Sequence, residues 1–137
     1  MERPVVKAPR CRQRPYAVVV LVVTRYVVPV EEASEFAGLA RTALDALTAR
    51  PGCTGGWVGR AADDATLWTL TTTWSSVGDY RRALSTYDVK VHAVPLMYRA
   101  VDEATAYEPL VTWSPRSGTE NHEVSRSVDA DAAYPGE

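Results

Sequence analysis

The 137-residue sequence has little cysteine, a single phenylalanine and no long apolar run. Its 2 cysteines, Cys11 and Cys53, lack metal-ligand spacing and are too few for a disulfide framework, so we predict two free thiols. The longest apolar run, residues 17–23, is much shorter than the roughly 20 residues that a membrane-spanning helix needs. These absences exclude a disulfide-stabilised secreted scaffold and a helical membrane protein.

The sequence also has no excess of charge of either sign. Its 15 lysines and arginines stand against 17 aspartates and glutamates, which gives a formal net charge of -2. A chain this close to neutral produces no strong field that would attract a polyanion or an anionic lipid surface. We therefore expect no nucleic-acid partner and no membrane partner, and a small aromatic molecule is the easier ligand to accommodate.

Both ends of the sequence lack hydrophobic periodicity. Residues 1–15 mix proline with basic residues, and residues 114–137 are rich in serine and acidic residues, so both are predicted to be flexible tails. The basic start resembles a signal peptide, but the apolar segment after it has strand chemistry and no small-residue cleavage site. We therefore expect a cytoplasmic protein with one ordered domain over residues 16–113.

Patterns of different kinds alternate in the first half of this domain. Residues 16–28 are mostly β-branched, which predicts a strand. Residues 31–50 have apolar side chains three and four positions apart and an acidic start, which predicts a helix. Residues 53–60 and 66–74 flank a turn and predict a β-hairpin. The glycines of residues 53–60 lack the helix-opening context of a phosphate loop, so bulges or a close backbone approach explain them better.

The second half of the domain completes the pattern. Ser76 and Asp79 have capping-box spacing, which predicts the start of a helix. A second helical stretch begins near Tyr87, and Pro95 is expected to break it. The last strand should lie within residues 104–113, where a proline is consistent with an edge or a bulge. The order is that of a ferredoxin-like split βαββαβ unit, which predicts the α+β class with an antiparallel sheet.

The two faces of the predicted sheet carry different side chains. In residues 66–74, Trp68 and Trp74 are an even number of positions apart and therefore lie on the same face of the strand, whereas the other face is rich in threonine. The first strand is apolar on both faces, but the helices of one such unit cover only one face of the sheet. A second copy of the chain is the simplest cover for the other face, so we predict a homodimer.

The segment 16–113 resembles the antibiotic biosynthesis monooxygenase family. The residues that carry the resemblance are Val27-Val28-Pro29, Arg50-Pro51-Gly52, Leu67-Trp68-Thr69-Leu70, Trp74-Ser75-Ser76, Tyr80 and Tyr87-Asp88-Val89-Lys90-Val91-His92. The resemblance implies a dimeric α+β barrel with a pocket between sheet and helices in each subunit. Members of this family include cofactor-free oxygenases of polyketide-type phenols, haem-degrading enzymes and proteins without established activity.

Trp74 and Tyr80 match the tryptophan and tyrosine, six residues apart, that line the pocket of the cofactor-free quinone-forming oxygenases. The resemblance therefore implies that an indole and a phenol clamp a planar aromatic ring. Leu70 stands where those oxygenases carry an asparagine. In the alternative interpretation, Trp74 is a core residue at a strand end and Tyr80 is a helix residue that packs on it.

His92 matches approximately the histidine that binds haem iron in the haem-degrading relatives. The asparagine and tryptophan that accompany that histidine are replaced here, by Val23 and by Arg82 or Ala83. We therefore do not expect haem degradation. An imidazole at this position could act as a base or a hydrogen-bond partner toward a phenol, or His92 could simply be a helix residue with a local partner.

These observations predict a cofactor-independent monooxygenase that oxidises a phenolic or polyketide-type aromatic molecule with dioxygen. We expect no cofactor and no metal site. The candidate catalytic residues, which we expect to face one internal cavity, are His92, Tyr80 and Trp74. The candidate substrate-binding residues, which could instead belong to the core, are Trp68, Trp57 and Tyr98. Two alternatives are a non-catalytic dimeric binder of a small aromatic metabolite and a haem-binding protein.

Overall fold

The structure is a computed structural model that describes residues 20–122. The chain divides into two compact units, one that ends at Tyr107 and one that begins at Glu108. The predicted arm, residues 1–15, lies outside the described residues. In chain order the elements are β1 (Val20–Val27), a 3-10 turn (Val30–Glu32), α1 (Ala33–Thr48), β2 (Cys53–Ala61), β3 (Asp64–Trp74), α2 (Val77–Leu84), α3 (Tyr87–His92), α4 (Val94–Met97), β4 (Ala106–Tyr107), β5 (Val111–Ser114) and β6 (Gly118–Asn121).

The first unit contains a four-stranded sheet in the order β2-β3-β1-β4, and all of its neighbouring strands are antiparallel. The central pair aligns Val20 with Trp74 at one end and Val27 with Leu67 at the other. This strand order and the helices between the strands confirm the predicted ferredoxin-like α+β fold. The predicted hairpin of β2 and β3 is also confirmed.

Among the described residues, helices cover one face of this sheet and leave the other face without a helical cover. The core lies between the covered face and the helices. Its buried apolar residues are Val20, Val22, Tyr26, Val28, Phe36, Ala40, Ala43, Leu47, Trp68, Leu70, Trp74, Ala83, Val89, Ala93 and Leu96. The burial alternates along β1 because successive side chains of a strand point to opposite faces.

A glycine in β2 lets α1 approach the sheet closely. A Cβ atom at Gly56 would lie 2.7 Å from Cδ1 of Leu44 and 2.9 Å from Cγ2 of Thr48. Both contacts are shorter than the usual distance between such atoms, so a larger residue would push α1 away from the sheet. The register of β2 also shifts between Cys53 and Gly55, as in a β-bulge. These two features confirm the predicted structural explanation of the glycines.

The helical segment after β3 is broken, as predicted. α3 ends at His92, Ala93 has a φ of -118°, and α4 begins at Val94. Pro95 lies within the first two positions of α4, where its missing N–H costs no helical hydrogen bond. Helix α4 ends at Met97, so residues 98–101 are not helical.

The predicted last strand of the sheet within residues 104–113 is confirmed, but it is only 2 residues long. Only Ala106–Tyr107 pairs with β1, and Val111–Ser114 pairs instead with Gly118–Asn121 in a separate two-stranded sheet. Pro109 lies between these strands and has no N–H to continue the first ladder. The predicted boundary at residue 113 falls inside the second hairpin, and the domain limits stay a prediction.

Candidate functional site

Trp74 ends β3 on the helix-covered face of the sheet. Its register partners are Val20 of β1 and Cys53 of β2, and the residue is 0% exposed. The indole Nε1 donates a hydrogen bond of 2.9 Å to the hydroxyl oxygen of Thr72, two positions earlier on the same face. This bond satisfies the only polar atom of the indole and fixes the plane of the ring.

The turn after Trp74 positions Tyr80. The hydroxyl oxygen of Ser76 accepts a hydrogen bond of 2.9 Å from the N–H of Asp79, which confirms the predicted N-cap of α2. The carboxylate of Asp79 in turn accepts hydrogen bonds from Ser75 Oγ at 2.8 Å and from Arg82 at 2.6 Å. Bonding to Arg82 and Ser75 lowers the pKa of Asp79. The charged carboxylate therefore holds the first turn of α2 against the end of β3.

A glycine on the neighbouring turn makes room for this arrangement. Gly52 has a φ of +92°, which glycine adopts without strain, and a Cβ atom there would collide with the side chain of Asp79. The N–H of Ser75 donates a hydrogen bond of 2.8 Å to the carbonyl oxygen of Gly52. The Arg50-Pro51-Gly52 and Trp74-Ser75-Ser76 segments, which carried part of the family resemblance, therefore meet in one contact.

Trp74 and Tyr80 form an aromatic pair. Their ring centroids are 5.5 Å apart at an interplanar angle of 51°, within the range of favourable tilted contacts. Tyr80 is half-buried, and its hydroxyl makes no hydrogen bond within residues 20–122. Burial raises the pKa of Tyr80, and the nearby phenol of Tyr26 raises it further. At neutral pH this hydroxyl is therefore a protonated donor without a partner among residues 20–122, and it is not one of the buried unpaired atoms, so solvent can reach it.

Tyr26 on β1 is a second buried phenol, which the sequence patterns did not single out. The Tyr26 hydroxyl lies 2.8 Å from Oγ1 of Thr24. The hydroxyl of Thr24 in turn donates a hydrogen bond of 3.2 Å to the carbonyl oxygen of Leu70. Burial raises the pKa of Tyr26, while the Thr24 bond and the charge of Arg99 oppose this shift. The alternation of Val20, Val22, Thr24 and Tyr26 along one strand was the available signal for its burial.

Trp68 lies toward the other end of β3, in a separate aromatic cluster. Its ring centroid is 5.2 Å from that of Phe36, which is 5.1 Å from the ring of Tyr26. Arg60 lies over the Trp68 ring at 5.3 Å, and the buried Nε1 of Trp68 has no partner in the described part of the chain. Six residues of strand separate it from Trp74, or about 20 Å at the usual rise, so Trp68 does not join the Trp74–Tyr80 pair.

None of the described residues that are fully buried carries a charge, although the Nε atom of the half-buried Arg50 is buried without a partner. The buried polar residues among them are Thr24, Thr72 and Thr73. Cys53 is a free, half-buried thiol opposite Trp74, and burial raises its pKa, so it stays protonated at neutral pH. Within residues 20–122, no three His, Cys, Asp or Glu side chains gather in a way that could hold a metal ion. The surroundings of Trp74 are therefore aromatic rings, hydroxyl groups and one thiol.

His92 does not join this pair, which corrects our expectation of one cavity lined by all three candidates. Val89, Ala93 and Leu96 turn inward from α3 and α4, and His92 is exposed. It lines a shallow external groove of about 190 Å³ between α1 and the α3–α4 segment, and neither Trp74 nor Tyr80 lines that groove. A base role for His92 toward a ligand at Trp74 therefore has no geometric support.

The two remaining candidates also lie apart from the pair. Trp57 is 56% exposed and projects from the uncovered face of the sheet, and Tyr98 is 85% exposed after α4. Their substrate-binding roles stay predictions. In the described part of the chain, no helix is both long enough and apolar enough to cross a membrane.

Comparison with known proteins agrees with this fold. Residues 19–93 match the family model described as antibiotic biosynthesis monooxygenase. A conserved protein from Methanosarcina mazei Go1 is similar in structure, with 20% identity and a TM-score of 0.57 over 69% of this chain and 95% of that one. SnoaB, a cofactor-independent oxygenase from Streptomyces nogalater, has 24% identity and a TM-score of 0.51 over 68% of this chain and 94% of its own. No curated protein matches the chain.

Proposed function

Because the chain belongs to the antibiotic biosynthesis monooxygenase family, we propose that it is a cofactor-independent monooxygenase. Its substrate would be a phenolic or polyketide-type aromatic molecule, and its oxidant would be dioxygen. The structural likeness to SnoaB, described as a cofactor-independent oxygenase, supports this choice of reaction. The fold by itself hosts several chemistries, so the argument depends on the Trp74–Tyr80 pair.

The observation that carries the proposal is the unpaired hydroxyl of Tyr80 beside a buried indole. Trp74 is fully buried and already uses its Nε1 on Thr72, so its contribution would be to hold the Tyr80 ring in place. Tyr80 offers a ring and a free donor, and its raised pKa keeps that donor protonated. A planar phenol that reaches the half-buried Tyr80 could accept a hydrogen bond from its hydroxyl.

In the proposed reaction, a phenol and dioxygen give a quinone and water. The substrate phenolate gives one electron to dioxygen, and the resulting phenoxyl radical and superoxide combine at a ring carbon. The proton lost on ionisation returns to this peroxide. Loss of water, with the hydrogen of the same ring carbon, then breaks the O–O bond and leaves one oxygen atom as the new carbonyl. Tyr80 would orient the phenolate oxygen and stabilise its charge through a hydrogen bond.

The test uses 1,8-dihydroxyanthrone, a tricyclic phenol of the polyketide type. We expect the protein to accelerate oxygen uptake above the spontaneous rate and to place one atom of ¹⁸O₂ in the quinone product. Tyr80→Phe keeps the ring but removes the hydroxyl, and it should lower turnover roughly 10- to 100-fold, the usual worth of a hydrogen bond to a charged group. Oxygen electrode and mass spectrometry supply the two measurements.

Tyr87→Phe is the matched control, because Tyr87 is 77% exposed on α3 and should turn over like the wild type. Equal turnover of the Tyr80 and Tyr87 variants would remove Tyr80 from the site. Saturable binding of the anthrone without oxygen uptake would instead support the alternative function, a non-catalytic binder of an aromatic metabolite. The lack of a buried base among the described residues is the observation that keeps this alternative in the test.

A further inference from the structure

The groove between α1 and the α3–α4 segment has apolar walls without a cover. Leu39 and Val91 stay 42% and 44% exposed, whereas Leu96 beneath them is 5% exposed. Exposed apolar side chains that line a concave surface are more informative than scattered ones, since a ligand can bury both walls together. The volume of about 190 Å³ is below the roughly 300 to 1,000 Å³ of sites for drug-sized ligands.

The polar residues of the groove select the charge of that ligand. Arg99 and His92 line it together with Thr42, and no carboxylate of residues 20–122 does. Other arginines have acidic partners, such as Arg25 with Glu103 and Arg41 with Asp45, but Arg99 forms no ion pair within residues 20–122. Its guanidinium carbon lies 5.8 Å from the ring centroid of Phe36. At this distance the guanidinium lies near the ring face, and no hydrogen bond within residues 20–122 uses its N–H donors.

We propose that this groove binds a small organic carboxylate. The guanidinium of Arg99 would donate two parallel hydrogen bonds to the carboxylate oxygens, which is the strongest geometry available to this pair. His92 would donate from a ring N–H, which an imidazole has in either charge state. Leu39, Val91 and Leu96 would contact the apolar body. This site is separate from the Trp74–Tyr80 pair, and it does not depend on the proposed oxygenase activity.

An independent observation shows that Arg99 reaches the aromatic cluster. Its charge lowers the pKa of Tyr26, opposing the effect of burial, and Tyr26 packs on Phe36 at 5.1 Å. An anion bound to Arg99 would therefore change the electrostatic environment of the Phe36 ring. Phe36 is the single phenylalanine of the sequence, and His92 is one of 2 histidines. Selective isotope labelling of these two residue types therefore gives one phenylalanine signal and two histidine signals.

The experiment is a titration of the intact protein with benzoate, followed by NMR of ¹³C-labelled phenylalanine and histidine. We expect saturable shifts of the Phe36 and His92 signals. Benzamide, which has the same ring but no charge, should cause none of these shifts. Hexanoate should bind at the same place, because the proposal requires the carboxylate rather than an aromatic ring.

Three variants complete the test. Arg99→Gln should weaken benzoate binding roughly tenfold or more, as expected when a charge-assisted hydrogen bond is lost, whereas Arg99→Lys should retain part of it. Arg81→Gln, an exposed arginine on α2 outside the groove, should bind like the wild type. Thermal melts of all variants would confirm that they are folded. The proposal is overturned if neither carboxylate shifts Phe36 and His92, or if Arg99→Gln binds benzoate as tightly as Arg81→Gln does.

Discussion

The two faces of the four-stranded sheet differ although the same strands build both. On the helix-covered face, Val20, Val22 and Tyr26 of β1 are each 2% exposed. On the other face, Val27 is 66% exposed, Trp57 is 56% exposed and Tyr107 is 48% exposed. The register places the threonines of β3 at the centre of this second face, between Trp57 on β2 and Val23 on β1.

Within residues 20–122, the helices and the sheet complete an apolar core on one face only. Every described ring contact and the whole described apolar core belong to the covered face and its helices. The uncovered face keeps two large aromatic side chains and a valine in contact with solvent. In a monomer these exposed side chains contribute no burial of apolar surface to stability. Their presence therefore supports the predicted homodimer with this face as its interface.

The largest expected effect tests the covered face. Trp74→Ala removes a fully buried indole and its bond to Thr72, and it should lower the free energy of unfolding by about 3 to 5 kcal/mol. Tyr87→Ala removes an exposed ring and should change it by no more than about 0.5 kcal/mol. Urea unfolding measures both. A Trp74→Ala loss no larger than that of Tyr87→Ala would mean that the ring borders an open cavity.

The next effect tests the uncovered face. Trp57→Glu places a charge at the proposed interface, and it should weaken dimerisation by about 2 kcal/mol or more, the cost typical of an interface hot spot. Light scattering at micromolar concentration should then give the mass of a dimer for the wild type and of a monomer for the variant. Tyr87→Glu, on α3, should stay dimeric. A wild-type protein that is monomeric under these conditions would contradict the prediction.

The smallest effect concerns the turn between β3 and α2. Hydrogen bonds from Arg82 and Ser75 lower the pKa of Asp79, so its contribution to stability is present above the unfolded pKa of about 3.9. That contribution should disappear as the pH falls through the lowered folded pKa. Asp79→Asn should therefore melt at a lower temperature than the wild type at pH 7, and the difference should shrink in acid. Calorimetry between acidic and neutral pH measures these melting temperatures. Asp63→Asn, in an exposed turn, is the control. A melting-temperature difference between Asp79→Asn and the wild type that stays constant with pH would contradict the role given to the Asp79 carboxylate.

Local patterns predicted most of the fold because they follow from backbone chemistry. The β-branched run of β1, the Ser76 cap and the Pro95 break each depend on a few neighbouring residues, and the structure has all three. The last strand was predicted less well, because its pairing depends on which distant strand accepts its hydrogen bonds. Pro109 indicates an interruption but does not indicate that the next strand pairs with β6.

The candidate site was predictable only in part for the same reason. Trp74 and Tyr80 are only six positions apart, and the strand end and the capped turn between them bring the two rings together. The direction of His92 depends on which face of α3 packs inward, and a helix of only six residues has too short a pattern to define that face. Arg99 lies beyond the Pro95 break, and its position over Phe36 is a contact between residues far apart in the sequence.

The buried phenols show which substrates this interior would favour. Tyr26 and Tyr80 are phenols held in the layer between sheet and helices, and burial is the main cause of the raised pKa of each. A bound phenol at the same depth would be desolvated in the same way, which disfavours its anion. Each unit by which its pKa rises corresponds to about 1.4 kcal/mol of free energy against ionisation. At neutral pH, only a bound phenol much more acidic than tyrosine, such as one conjugated with a carbonyl group, would ionise there. Acidity, together with shape, would then decide which aromatic molecules react with dioxygen.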